Sequence, residues 1–174
     1  STDESDLLHT VCGIVVQVGG YRMAWVGYAQ DDTARTVRPV ACAGYEDGYL
    51  ETLNTSWADD ERGQSASGRA IRSGLPCMIP DIVSDPGLAP WHAQAVERGY
   101  GALCALPLQA GGLIFGALSI YASALDAFDA DEVDLLNELA GDLAFGINVM
   151  RTRKERELAD QALRESEQLL RRSQ

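Results

Sequence analysis

No apolar run in this 174-residue chain approaches the roughly 20 residues a membrane helix needs, and no charged-then-apolar leader opens it. The piece therefore reads as soluble, with no membrane span of its own. Cysteine is scarce: Cys12, Cys42, Cys77 and Cys104 lie far apart, none in a C-x-x-C pair and each in an apolar stretch. That argues against a disulfide or metal framework and predicts buried, reduced thiols in a cytoplasmic protein. With two histidines and no G-x-S-x-G, no hydrolase triad can be paired. Positive charge is short as well. Fourteen Lys and Arg face 26 Asp and Glu, for a net charge of −12. Residues 151–174 hold seven of the cations and five of the anions, which leaves residues 1–150 at −14. Such a body repels a phosphate backbone, so nucleic acid is excluded as a partner. At 46% hydrophobic and 23% charged, the composition is that of one globular domain.

The run GQSASGRA (63–70) comes two substitutions short of a phosphate-binding loop, G-x-x-x-x-G-K-[ST]. Arg69 stands for the lysine and Ala70 for the metal-holding hydroxyl, and the acidic SWADDER before it is not a strand. The stretch is better read as a short helix capped by Ser65 and stopped by Gly74, with Gly63 as a flexible lead-in and Gly68 letting the helix approach the sheet. Arg69 and Arg72, three apart on its one side, are expected to pair with neighbouring carboxylates.

Periodicity organises the rest. Leu7, Leu8, Val11, Cys12, Ile14, Val15 and Val18 recur at three- and four-residue steps, a helix stopped by Gly19-Gly20. Residues 21–29 and 36–45 read as a β-hairpin, 46–64 as an acidic irregular segment, 75–82 as a short strand and 90–99 as a compact helix opened by Pro90. The strongest strand signals, 101–108 and 112–122, flank the turn QAGG. A long helix follows, capped by Asp129 with Glu132 in a capping-box pattern, and meets no Gly or Pro between Met150 and the end. In residues 151–174, Leu158, Ala162, Glu165 and Leu169 fall at coiled-coil intervals, which predicts a parallel homodimer.

This order of elements resembles a GAF domain, and the runs YRMAWVGYAQDD, ERGQSASGRAIRSGLPCMIPDI, DPGLAPWHAQAVERGYGALCALPL and GLIFGALSIYA followed by FDADEVDLL reinforce it. The resemblance implies an α+β fold: a central antiparallel sheet of five or six strands, with the N- and C-terminal helices on one face. Short helices and loops would cover a pocket on the other. It implies a sensor domain over residues 1–150 and a signalling helix over 151–174 that leads to a histidine kinase, PAS or diguanylate cyclase module, with a homodimer through the terminal helices. FDADE departs from the family's cyclic-nucleotide ending, and Trp91, not cysteine, precedes His92, which excludes bilin attachment there. Free methionine-R-sulfoxide reductase, the enzyme of the family, carries a cysteine where Ser67 stands, and residues 82–101 here contain none. The expectation is a non-enzymatic domain binding a small molecule whose identity stays open, with the reductase and a purely structural dimerisation module as alternatives.

Pocket residues follow from strand alternation and from the family's pocket side. Ser119 and Tyr121 share one face of the last strand, and Leu103, Ala105 and Tyr28 are assigned to the same side. Trp57, Trp91 and His92, in irregular or helix-start positions, are expected to cover the pocket, with His92 a conceivable haem ligand. Asp81, at a strand end, is the carboxylate expected to meet a ligand. No metal site is expected.

Overall fold

The computed structural model describes residues 2–173, so Ser1 and Gln174, the outermost residues of the two expected segments, lie outside it. Helix α1 (Thr2–Gly19) leads into strands β1 (Met23–Ala29) and β2 (Val37–Gly44). Three short helices follow: α2 (Tyr49–Leu53), α3 (Ala66–Ser73) and, after strand β3 (Cys77–Ile79), α4 (His92–Glu97). Strands β4 (Ala102–Ala110) and β5 (Leu113–Ala122) and the 43-residue helix α5 (Ala130–Arg172) complete the chain.

The five strands form one antiparallel sheet in the order β2-β1-β5-β4-β3. Gly111 and Gly112 turn β4 into β5, and both take positive φ, as a two-residue hairpin turn demands. Because successive side chains point to opposite faces, β4 divides cleanly. Ala102, Cys104, Leu106 and Leu108 face α1 and α5, where they meet Leu8, Cys12, Val15, Leu136, Leu143 and Ile147. Leu103 and Ala105 face the other way, toward α2, α3 and the 3-10 turn Pro86–Trp91. The fold is thus an α+β sandwich of two cores that share one sheet.

Local chemistry sets the ends of the elements. Ser65 accepts a hydrogen bond from the Gly68 amide (3.1 Å), and Gly74 closes α3 in the left-handed conformation. Asp129 caps α5 through the Glu132 amide (2.8 Å). The Glu132 side chain does not return the bond, because the Tyr21 hydroxyl donates to it and Tyr21 stacks on Phe128. Two expectations shift. The helix placed at 90–99 begins two residues later, since Pro90 belongs to the 3-10 turn. The segment read as irregular contains α2, which spans five residues, too few to print a period, and stops at Asn54 with φ 43°.

Candidate functional site

On the sheet face away from α1 and α5, the strand side chains Trp25, Leu103, Ser119 and Tyr121 form the floor of an enclosed cavity. Tyr49 and Leu53 of α2, the first turn of α3, and Leu88 and Trp91 of the 3-10 turn roof it. Its free space is about 10 Å³, room for about one water molecule. Two ties hold the roof down. The Trp91 indole donates to the Leu53 carbonyl at 2.6 Å, and the buried Arg98 guanidinium donates to the Asp47 carbonyl from Nη2 (2.6 Å) and Nε (3.0 Å). Both ends of α2 are thereby fastened to the 86–98 segment.

The lining carries hydroxyls and no carboxylate, lysine or arginine. Tyr49, Tyr100 and Tyr121 pack edge-to-face or tilted with centroids 4.7–5.5 Å apart. Burial pushes all three phenols well above the ordinary range, so they stay uncharged. Ser65 and Ser67 satisfy each other at 3.2 Å. Thr55 and Ser119, 3% and 1% exposed, do not: among the described residues, their hydroxyl oxygens are the buried side-chain atoms with no hydrogen-bond partner. Both line this cavity.

Of the nine residues expected at the pocket, Trp91, Leu103, Ser119 and Tyr121 line the cavity, and Ala105 is buried on the same sheet face without reaching it. The other four lie elsewhere. Tyr28 sits on the opposite face, paired with Gly116, where its hydroxyl donates to Glu4 at 2.5 Å and its ring meets Phe115. Trp25 and Met23 hold the pocket side of β1 instead. Trp57 borders a separate open cleft with Ile71 and Ile114, and its indole donates to the Gln30 carbonyl. Asp81 caps its own turn, accepting from the Val83 amide and the Ser84 hydroxyl. His92 is half-buried outside the cavity lining, with Nε2 donating to the Asp85 carbonyl at 2.8 Å. Trp25, Tyr49, Thr55 and Ser65 escaped the sequence reading, and only Ser65 carried a signal there, as a cap.

The arginines of GQSASGRA tie the roof together. Arg69 makes a bidentate pair with Asp85 at 2.9 and 3.1 Å, and its guanidinium holds the Asp85 carboxyl below the ordinary range. Arg72 finds carbonyls, not carboxylates, donating to Ala58 and Gly63 at 2.7 Å each. Gly68 does make a close approach, but to the loop: a Cβ there would stand 2.5 Å from the Gly63 and Ser56 carbonyl oxygens. Gly63, expected as a flexible lead-in, is buried in a 3-10 turn. The four cysteines are free, two buried and two half-buried. Burial pushes Cys12 and Cys104 up to about 12 and raises Cys42 and Cys77 as well. No cluster of His, Cys, Asp and Glu suited to a metal occurs among the described residues.

A sheet with the terminal helices on one face and a roofed, hydroxyl-lined cavity on the other defines a two-core domain of the α+β class. The family model described as GAF domain matches residues 1–148, and the chain belongs to the GAF domain family. Among solved structures, the GAF domain of a phosphoenolpyruvate-protein phosphotransferase from Coxiella burnetii is similar with TM-score 0.71 and 18% identity, over 87% of this chain and 86% of that one. The second GAF domain of DevS from Mycobacterium smegmatis is similar with TM-score 0.65 and 18% identity, over 88% and 99%. So is free methionine-R-sulfoxide reductase from Neisseria meningitidis, in complex with its substrate, with TM-score 0.66 and 17% identity, over 88% and 83%. At these identities the likeness is one of fold. No curated protein matches the sequence. No described helix is long and apolar enough to cross a membrane.

Proposed function

We propose that this chain is a non-enzymatic regulatory domain of a cytoplasmic signalling protein, which binds a small uncharged molecule in the cavity over β1, β4 and β5. The observation that carries the reading is the pair of orphaned hydroxyls, Thr55 and Ser119, facing one enclosed space. A buried polar atom left unpaired costs roughly 1–3 kcal/mol, which a ligand offering a donor or acceptor recovers. An ionic ligand would find no counter-charge in the lining and would lose its hydration uncompensated. Free space for one water means that a larger ligand enters by lifting the roof, so binding and movement of α2 and the 86–91 turn are coupled.

Strand β4 offers the route outward. Leu103 touches the cavity while Cys104 and Leu106, its neighbours along the strand, pack in the core that holds α5. Residues 1–150 would then be the sensor and 151–174 the output helix, within a homodimer and joined to a histidine kinase, PAS or diguanylate cyclase effector. A melting-temperature screen against neutral metabolites tests the reading. A ligand at 100 times its Kd stabilises the fold by about 2.7 kcal/mol, and no shift with any compound counts against a sensor.

Likeness of fold to a methionine sulfoxide reductase favours one alternative, thiol chemistry. Against it, a thiolate is the nucleophile such chemistry uses, and all four thiols here are held in the protonated form. Turnover of free methionine sulfoxide with a thiol reductant, lost on Cys77→Ser or Cys104→Ser, would establish that alternative.

A further inference from the structure

We propose that the open cleft beside Trp57 is a second ligand site, which takes a small monocarboxylate with an apolar body, such as an arylacetate. The inference goes beyond the reading of the cavity and shares none of its lining residues.

The cleft lies where β1 ends, β5 begins and α3 runs out. Ala29, Trp57, Ile71, Leu113 and Ile114 give it apolar walls, and it holds about 750 Å³ of free space. That volume falls within the roughly 300–1,000 Å³ of small-molecule sites, which are mostly apolar with a few placed polar groups. Leu113 is 66% exposed, so an apolar body laid against it removes its side chain from water.

The charged groups of the lining are Arg72 and Asp31. Arg72 is half-buried, and its hydrogen bonds to the Trp57, Ala58 and Gly63 carbonyls all leave from Nη1. Among the described residues nothing accepts from Nε or Nη2, the edge with which a guanidinium grips a carboxylate through two parallel bonds. Nor does any described carboxylate pair with it, whereas Arg69 and Arg151 hold Asp85 and Glu4. Asp60 is near enough to feel Arg72, but its Oδ1 serves the Ser56 hydroxyl and the Gly63 amide at 2.8 Å each. Arg35, lying over the Trp57 ring at 4.8 Å, adds a second cation beside the cleft. Asp31, exposed at the rim, limits the charge that is welcome there. In a chain of net charge −12, one carboxylate bonded to Arg72 is compensated, and a dianion meets added repulsion.

Helix α3 joins the two sites. Its first turn roofs the cavity through Ala66 and Ser67, and its second half borders the cleft through Ile71 and Arg72, so both ligands bear on one helix.

The experiment titrates phenylacetate into the 174-residue chain, with phenylacetamide, phenethylamine and phenyl phosphate as its neutral, cationic and dianionic counterparts, and follows amide and indole N–H signals by NMR. Phenylacetate is expected to bind with a Kd of about 1 mM. It should move the Trp57 indole signal, assigned through Trp57→Phe, and the Ile71, Arg72 and Ile114 amides, while Ser119 and Tyr121 stay in place. Phenylacetamide, phenyl phosphate and phenethylamine are expected to bind about tenfold more weakly or worse, and Arg72→Gln to weaken phenylacetate by about tenfold. Because Arg72 also ties α3 to the loop before it, two exposed positions keep the test independent of folding. Asp31→Asn should tighten phenylacetate binding about threefold and Leu113→Glu should weaken it about threefold, with melting unchanged in both. No binding of phenylacetate by about 10 mM, equal or tighter binding of any counterpart, or shifts centred on Ser119 and Tyr121 overturns the proposal. None of these results involves a neutral ligand of the cavity, so the sensor reading stands or falls separately.

Discussion

Ser119 is the residue at which folding and function pull apart. Its hydroxyl is buried without a partner, so Ser119→Ala should leave stability unchanged or raise it by about 1 kcal/mol in urea unfolding. A loss well above that would mean the oxygen has a partner, such as an ordered water. Asp85 behaves in the opposite sense. Arg69 lowers its carboxyl in the folded state, so the pair contributes fully above about pH 4 and fades as pH falls through the lowered value. Asp85→Asn should cost about 1 kcal/mol at pH 7 in a half-buried setting, and the gap from the wild type should narrow steadily as pH falls below about 4, read by urea melts across pH. Thiols offer a third check. With Cys12 and Cys104 pushed up to about 12, iodoacetamide at pH 8 should leave both unmodified in the native protein and label them on unfolding, as mass spectrometry would show.

At the level of elements, α3 and the loop before it are bound by backbone proximity. Adding a Cβ at Gly68 forces it against two carbonyl oxygens, so Gly68→Ala should destabilise the domain by about 2 kcal/mol in the same urea assay. The sequence showed α3 with its Ser65 cap and Gly74 stop, while the loop before it was least legible. Elements with a long period were readable: α1, α5, and the β4–β5 hairpin with its paired glycines follow directly from spacing and turn chemistry. The faces of β5 were readable too, because Ser119 and Tyr121 alternate with Leu118 and Ile120. Strand β1 offered no such contrast. Its run YRMAWVGYA is apolar on both sides since both faces are buried, and Tyr28 was assigned to the side that Trp25 occupies. The roof was hidden for another reason: α2 and the 86–91 turn are too short to carry a period, and Thr55 reaches the cavity only through contacts distant in sequence. Asp81 and His92 had the chemistry of ligands but spend it on nearby backbone and a serine hydroxyl.

Across the whole molecule, the one sheet serves two cores and so joins the cavity to α5. The point where α5 leaves the body is anchored by Arg151, whose guanidinium grips Glu4 at 2.9 and 3.0 Å and lies over the rings of Tyr28 and Phe115. Beyond it, residues 152–173 are exposed along their full length. The claim on which the account turns is that the cavity under α2 receives an uncharged ligand through Thr55 and Ser119. The most direct test is the Tm of the wild type and of Thr55→Val/Ser119→Ala, which preserves the cavity's shape, against one panel of neutral and charged small molecules. The account predicts that a neutral compound raises the wild-type Tm by several degrees and the double variant's by much less. No shift with any compound, or equal shifts in both proteins, would contradict it.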